Sequence, residues 1–77
     1  MAFGTRLRAL RRERAFTLAS LADASQISKA QLSRYERGLR PSLDAIGRLA
    51  PVLGVSVGDL AMAAAADLDA EPVEAGR

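Results

Sequence analysis

The side chains best placed to do chemistry in this sequence are cations, and four of them fall within a short segment: Lys29, Arg34, Arg37 and Arg40. If the segment around them is helical, Leu32 and Tyr35 stand at i, i+3 and face inward. Lys29, Ala30, Ser33 and Arg34 then face outward or sideways, with Arg37 one turn further on. A helix whose capped, positive N-terminus carries a lysine, a small residue and an arginine suits contact with phosphates and with base edges. A solvated basic face is the plainer alternative. Other chemistries are excluded by what the chain lacks. It has no cysteine and no histidine. That removes thiol nucleophiles, disulfides, Cys- or His-based metal sites and histidine relays. The remaining polar residues are Arg, Asp, Ser and Glu on helix surfaces, with no convergent acid–base pair, so no enzyme and no cofactor are expected.

Charge supports a polyanionic partner. The net charge is only +2, but residues 1–40 carry nine basic groups against three acidic ones, whereas residues 41–77 carry two against six. The basic half predicts a surface for nucleic acid, although a solvated basic helix followed by an acidic tail would look the same. No signal peptide is legible. No run approaches the ~20 apolar residues that span a bilayer. A cytosolic protein without membrane contact is expected. With 77 residues and no disulfide, stability must come from compact helix packing or from dimerisation.

The elements that must position the cations read as short capped helices; strand signals are poor. Phe3, Leu7 and Leu10 recur at helical spacing and predict a first helix over about 3–14. Thr17 caps a second, about 17–24, with Leu21 and Ala22 inward. Ser28 caps a third, about 28–37. Gln31 lies three residues on, at the spacing of a capping box, and Gly38 closes the helix. Pro41-Ser42 opens a fourth over about 42–53, with Leu43, Ile46, Leu49, Ala50 and Leu53 as its inner stripe and Gly54 at its end. Pro51 conflicts with that helix and predicts a kink or a frayed last turn. Ser56-x-x-Asp59 opens a fifth, with Val55 and Leu60 in the core. Ala63–Ala66 can extend it, and residues 69–77 read as a disordered acidic tail. The domain proper is expected at 1–62, with the extension and tail at 63–77.

Helices two and three, joined by three or four residues, have helix-turn-helix spacing. The segment from Phe16 to Leu60, with LRALRRER before it, resembles the phage-repressor (Xre, Cro/repressor-like) helix-turn-helix family. The match covers about residues 3–62. It rests on IS-x-x-x-LSRYERG, RPSLDAIGRLA and LGVSVGDL taken together. The resemblance implies an all-α, compact five-helix domain that binds operator DNA, usually as a two-fold dimer.

By residue, the resemblance places Lys29, Ala30 and Arg34 at base-reading positions, with Arg34 suited to a guanine edge and a phosphate clamp as its alternative. Thr17, Ser28, Arg37 and Arg40 fall where phosphates are held. Arg11 and Glu36 match a partly buried ion pair between helices one and three, which makes Arg11 structural. Gln31 fits the capping box better than base reading. Val52, Val57 and Met62 are surplus to the inward stripes and form the expected dimer surface, unless they are scattered exposed apolars.

Three positions depart from the family pattern. Leu18 stands where a phosphate-holding glutamine is common, and it is expected to be exposed. Gln26 stands where the turn often has glycine, so either it takes positive φ or the turn differs. The Leu39-Arg40 loop is short. The implied function is a sequence-specific regulator of transcription, repressor or autoregulator. The alternative is a protein-docking module that keeps the fold without binding DNA.

Overall fold

A computed structural model describes residues 2–70 of the chain. Five helices follow one another: α1 (Ala2–Glu13), α2 (Leu18–Ser25), α3 (Lys29–Glu36), α4 (Leu43–Leu53) and α5 (Val57–Ala70). There is no strand among the described residues. Every helix from α2 to α5 begins at a hydroxyl that accepts a bond from an amide of the first turn. Ser28 takes Gln31 at 3.1 Å, Ser42 takes Ala45 at 3.0 Å, and Ser56 takes Asp59 at 3.0 Å. Each such cap contributes ~1 kcal/mol.

The reciprocal capping box lies at Thr17, not at Ser28. Thr17 Oγ1 accepts from the Ser20 amide at 3.0 Å, and Ser20 Oγ accepts from the Thr17 amide at 2.9 Å. Gln31 does not return to the Ser28 amide. Its side chain runs down the helix instead, drawn by the phenol one turn on (below).

Buried apolar residues recur at helical spacing and meet in one core. Phe3, Leu7 and Leu10 come from α1, Leu21 from α2, Leu32 and Tyr35 from α3, Ile46, Leu49 and Leu53 from α4, and Leu60 from α5. Val55, Ala22 and Leu18 pack against this core, half-buried. Leu18 is therefore not an exposed apolar group: at the first position of α2 its side chain turns inward. Leu43, by contrast, is 78% exposed and leaves the stripe assigned to it. It opens α4, and the helix reaches the core only at Ala45 and Ile46.

Pro51 is accommodated in the last turn of α4, which runs on to Leu53 and closes on Gly54 at φ 71°. The last turn, where the sequence predicts fraying or a kink, is formed and capped. α5 continues through the extension expected at Ala63–Ala66 to Ala70, past the predicted start of the tail at 69. The rest of that tail, residues 71–77, lies outside the described residues.

α1 packs most extensively against α5, and also against α3; α4 lies on α5 and α2; α2 lies on α3. Three features hold α1 in place. A Cβ on Gly4 would lie 2.7 Å from the Tyr35 carbonyl oxygen and 2.8 Å from that of Glu36, so the two helices approach at a distance only glycine permits. Arg6 donates to Asp59 on α5 at 2.8 Å, and that bond raises the arginine's pKa above its usual value. The Asp67 carboxylate accepts from the amides of Ala2 and, at 3.0 Å, of Phe3. An acid from the far end of α5 thus caps the positive end of α1.

Candidate nucleic-acid interface

The turn between α2 and α3 sets how α3 is presented. Gln26 sits there in the left-handed conformation, φ 61° and ψ 32°, which resolves the two alternatives for this position in favour of positive φ. Its amide donates to Ala22 O at 2.8 Å, and its Nε2 donates to Asp23 O at 2.8 Å. Its carbonyl accepts from Arg48 Nη1 at 3.4 Å, and that arginine is itself held by Asp44 at 2.8 Å. These bonds offset the ~1–2 kcal/mol that a non-glycine residue loses in this region.

α3 turns Leu32 and Tyr35 into the core and leaves Lys29, Ala30, Arg34 and Arg37 exposed, with Ser33 half-buried beside them. Residues 30, 34 and 37 fall on one helical face, and Lys29 lies at its N-terminal edge. No carboxylate among the described residues pairs with Lys29, Arg34 or Arg37, so their charge faces outward. Arg37 is also the C-cap of α3, at φ −93° and ψ 0°, and Arg40 is exposed in the following loop. Ser28 and Thr17 stand at the N-termini of α3 and α2, both exposed, with their hydroxyl oxygens engaged in the caps.

Other cations are withdrawn from this face. Arg11 binds Glu36 through two bonds, Nε to Oε2 at 2.6 Å and Nη2 to Oε1 at 3.2 Å, and its Nη1 donates to the Phe16 carbonyl at 3.0 Å. One side chain thereby joins α1, α3 and the loop before α2. Arg8 lies 4.0 Å from the same carboxylate. Of the residues expected on a dimer surface, Val57 is 49% and Met62 75% exposed, whereas Val52 is half-buried against the core and not surplus to it.

The residue that sequence reasoning underrated is Gln31. Its Nε2 donates to Tyr35 Oη at 3.3 Å, and its Oε1 accepts from Arg34 Nη1 at 3.4 Å. The signal was present in the spacing, since Gln31 precedes Arg34 by three residues and Tyr35 by four.

No group of three or more potential metal ligands occurs among the described residues, and none of the helices is long and apolar enough to cross a membrane.

Comparison with known proteins places this arrangement. Over 56 residues the chain is 48% identical to the HTH-type transcriptional regulator DdrOP3 of Deinococcus deserti, a match covering 71% of this chain and 43% of that protein. Over 74 residues it is 46% identical to RghRB of Bacillus subtilis, an uncharacterized HTH-type transcriptional regulator, covering 94% and 52%. The chain thus spans about half the length of the curated relatives it matches. The crystal structure of SinR, the master regulator for biofilm formation of Bacillus subtilis, in complex with DNA superposes with a TM-score of 0.71 at 34% identity, covering 77% of this chain and 97% of that one. Residues 2–63 match the family described as Helix-turn-helix domain, and with five helices in this order and an outward α3 the chain belongs to that family.

Proposed function

We propose that this chain is a sequence-specific, double-stranded-DNA-binding regulator of transcription that lays α3 in the major groove. The observation that carries the reading is the outer flank of α3, where Lys29, Ala30 and Arg34 stand exposed and no carboxylate among the described residues pairs with the two cations. Arg34 is the guanine reader, with two parallel bonds to one base edge worth ~1–3 kcal/mol of discrimination. Lys29 and Ala30 flank it, the alanine methyl suiting a thymine methyl. Thr17, Ser28, Arg37 and Arg40 hold phosphates on either side and set the register. The likeness to SinR, solved in complex with DNA, supports DNA as the partner.

The DNA-reading unit lies within residues 1–62 and acts in the cytoplasm as a homodimer. Val57 and Met62, exposed on α5, supply the pairing surface. On B-form DNA the two copies of α3 then lie ~34 Å apart. Binding to pooled random duplexes across a salt series tests the reading. Affinity should fall steeply with salt, in proportion to the phosphates contacted. Salt-insensitive or absent binding would turn the assignment toward a protein-docking module.

A further inference from the structure

We infer that Gln31 and Tyr35 are positioning residues for the base-reading arginine: they tie the Arg34 guanidinium to the hydrophobic core before DNA arrives. The inference rests on the reading of α3 given above and adds residues to it. The chain of contacts begins inside the molecule. Phe3 is buried and meets the Tyr35 ring edge-on, with centroids 6.2 Å apart and planes at 88°. Tyr35 is only 4% exposed, so its phenol oxygen is fixed. Gln31 Nε2 donates to that oxygen at 3.3 Å, and the opposite end of the same amide accepts from Arg34 Nη1 at 3.4 Å.

An amide has one acceptor and one donor end, and only this orientation serves both neighbours at once. The cation takes the oxygen; the phenol takes the nitrogen. The bond to Gln31 occupies one N–H of Nη1. The second N–H of Nη1 and both of Nη2 remain, enough for a two-point contact with a guanine edge. Ordering a long, rotamer-rich side chain on binding costs enough to alter affinity about two- to tenfold. A guanidinium already held in place avoids part of that loss, and the saving appears only where the guanidinium meets its base. Gln31 therefore governs preference at one base pair without touching it.

The test is selection of bound duplexes from a random-sequence library by the wild-type chain, Arg34→Ala, Gln31→Met and Tyr35→Phe, with thermal melting of each protein. Gln31→Met and Tyr35→Phe should weaken preference at the same base pair that Arg34→Ala erases, by about two- to tenfold. Preferences elsewhere, affinity for random DNA and melting temperature should stay near wild type. Unchanged preference in both variants would overturn the inference and leave the α3 reading standing. A changed preference at a different base pair would overturn it too, by showing that Gln31 itself contacts DNA. A fall in melting temperature with uniform loss at every position would assign both residues to folding alone. A wild-type chain that selects no sequence would remove the base-reading role of α3 and this inference together.

Discussion

Arg11 on α1 and Glu36 on α3 are joined at two points, with 13% and 9% of their side chains exposed, so one of the eight arginines in residues 1–40 is spent inside the protein. The pair explains why Arg11 belongs to the fold. It also fixes the C-terminal end of α3, one residue before Arg37.

Removing either partner strands the other in a largely desolvated place. Arg11→Met and Glu36→Ala should each destabilise the domain by about 3 kcal/mol in urea titrations. The double variant should lose clearly less than the sum of the two. Additive losses would show that the pair carries no coupling.

Two glycines should respond in opposite directions. Gly4→Ala places a methyl against the carbonyls of Tyr35 and Glu36 and should cost ~1–3 kcal/mol by forcing α1 away from α3. A methyl on Gly47 would meet open space, and its φ is not positive, so Gly47→Ala should add ~0.5–1 kcal/mol. Denaturant midpoints of the two variants decide the matter.

Ala15 lies at φ 59°, between α1 and α2, with an exposed side chain. Ala15→Gly should raise the melting temperature, since relief of the left-handed strain at about 1 kcal/mol outweighs the greater freedom of the unfolded chain. Gln26→Gly should gain less, because it also loses the bond from Nε2 to Asp23 O.

The Phe3 amide, and after it the Ala2 amide, hold the Asp67 carboxyl below its ordinary pKa. A depressed folded-state pKa means stability that is present above the unfolded value of about 4 and is lost as pH falls through the folded one. Wild type should thus exceed Asp67→Asn in stability at neutral pH, and the gap should close under acid. A gap that persists unchanged in acid would mean that the carboxylate charge is not what anchors α5 to α1.

On DNA, Arg34→Ala should relax preference at one base pair, whereas Arg40→Ala should weaken all duplexes alike and reduce the salt slope by about one. Equal loss on every duplex with Arg34→Ala would move that residue to the phosphates.

What could be read from the sequence was local. Ser28, Ser42 and Ser56 cap helices because a hydroxyl needs only the amide three residues on, and Gly54 ends α4 because its own backbone permits it. The stripes of α1 and α4 follow from a fixed period, and the outward set on α3 follows from Leu32 and Tyr35. Leu43 fits that same period yet lies in solvent, because periodicity names a face without saying where a neighbour begins to cover it. Gly4, Asp67 and Arg48 escaped for a different reason. Their partners lie far along the chain, 22 residues for Arg48 and Gln26 and 64 for Asp67 and Phe3, and no spacing rule reaches that far. Gln31 was misassigned because two local bonds competed for one amide, and the buried phenol prevailed over the cap.

The long reach between α1 and α5 has a kinetic consequence. α1 is synthesised before α5, whose Asp59 and Asp67 secure it. During translation α1 can already pair with α3 through Arg11 and Glu36, but its contacts with α5 must wait until that helix clears the ribosome, and closing so large a loop is slow compared with forming the short turn between α2 and α3. The unit of α1, α2 and α3 can therefore take shape before α5 closes over it.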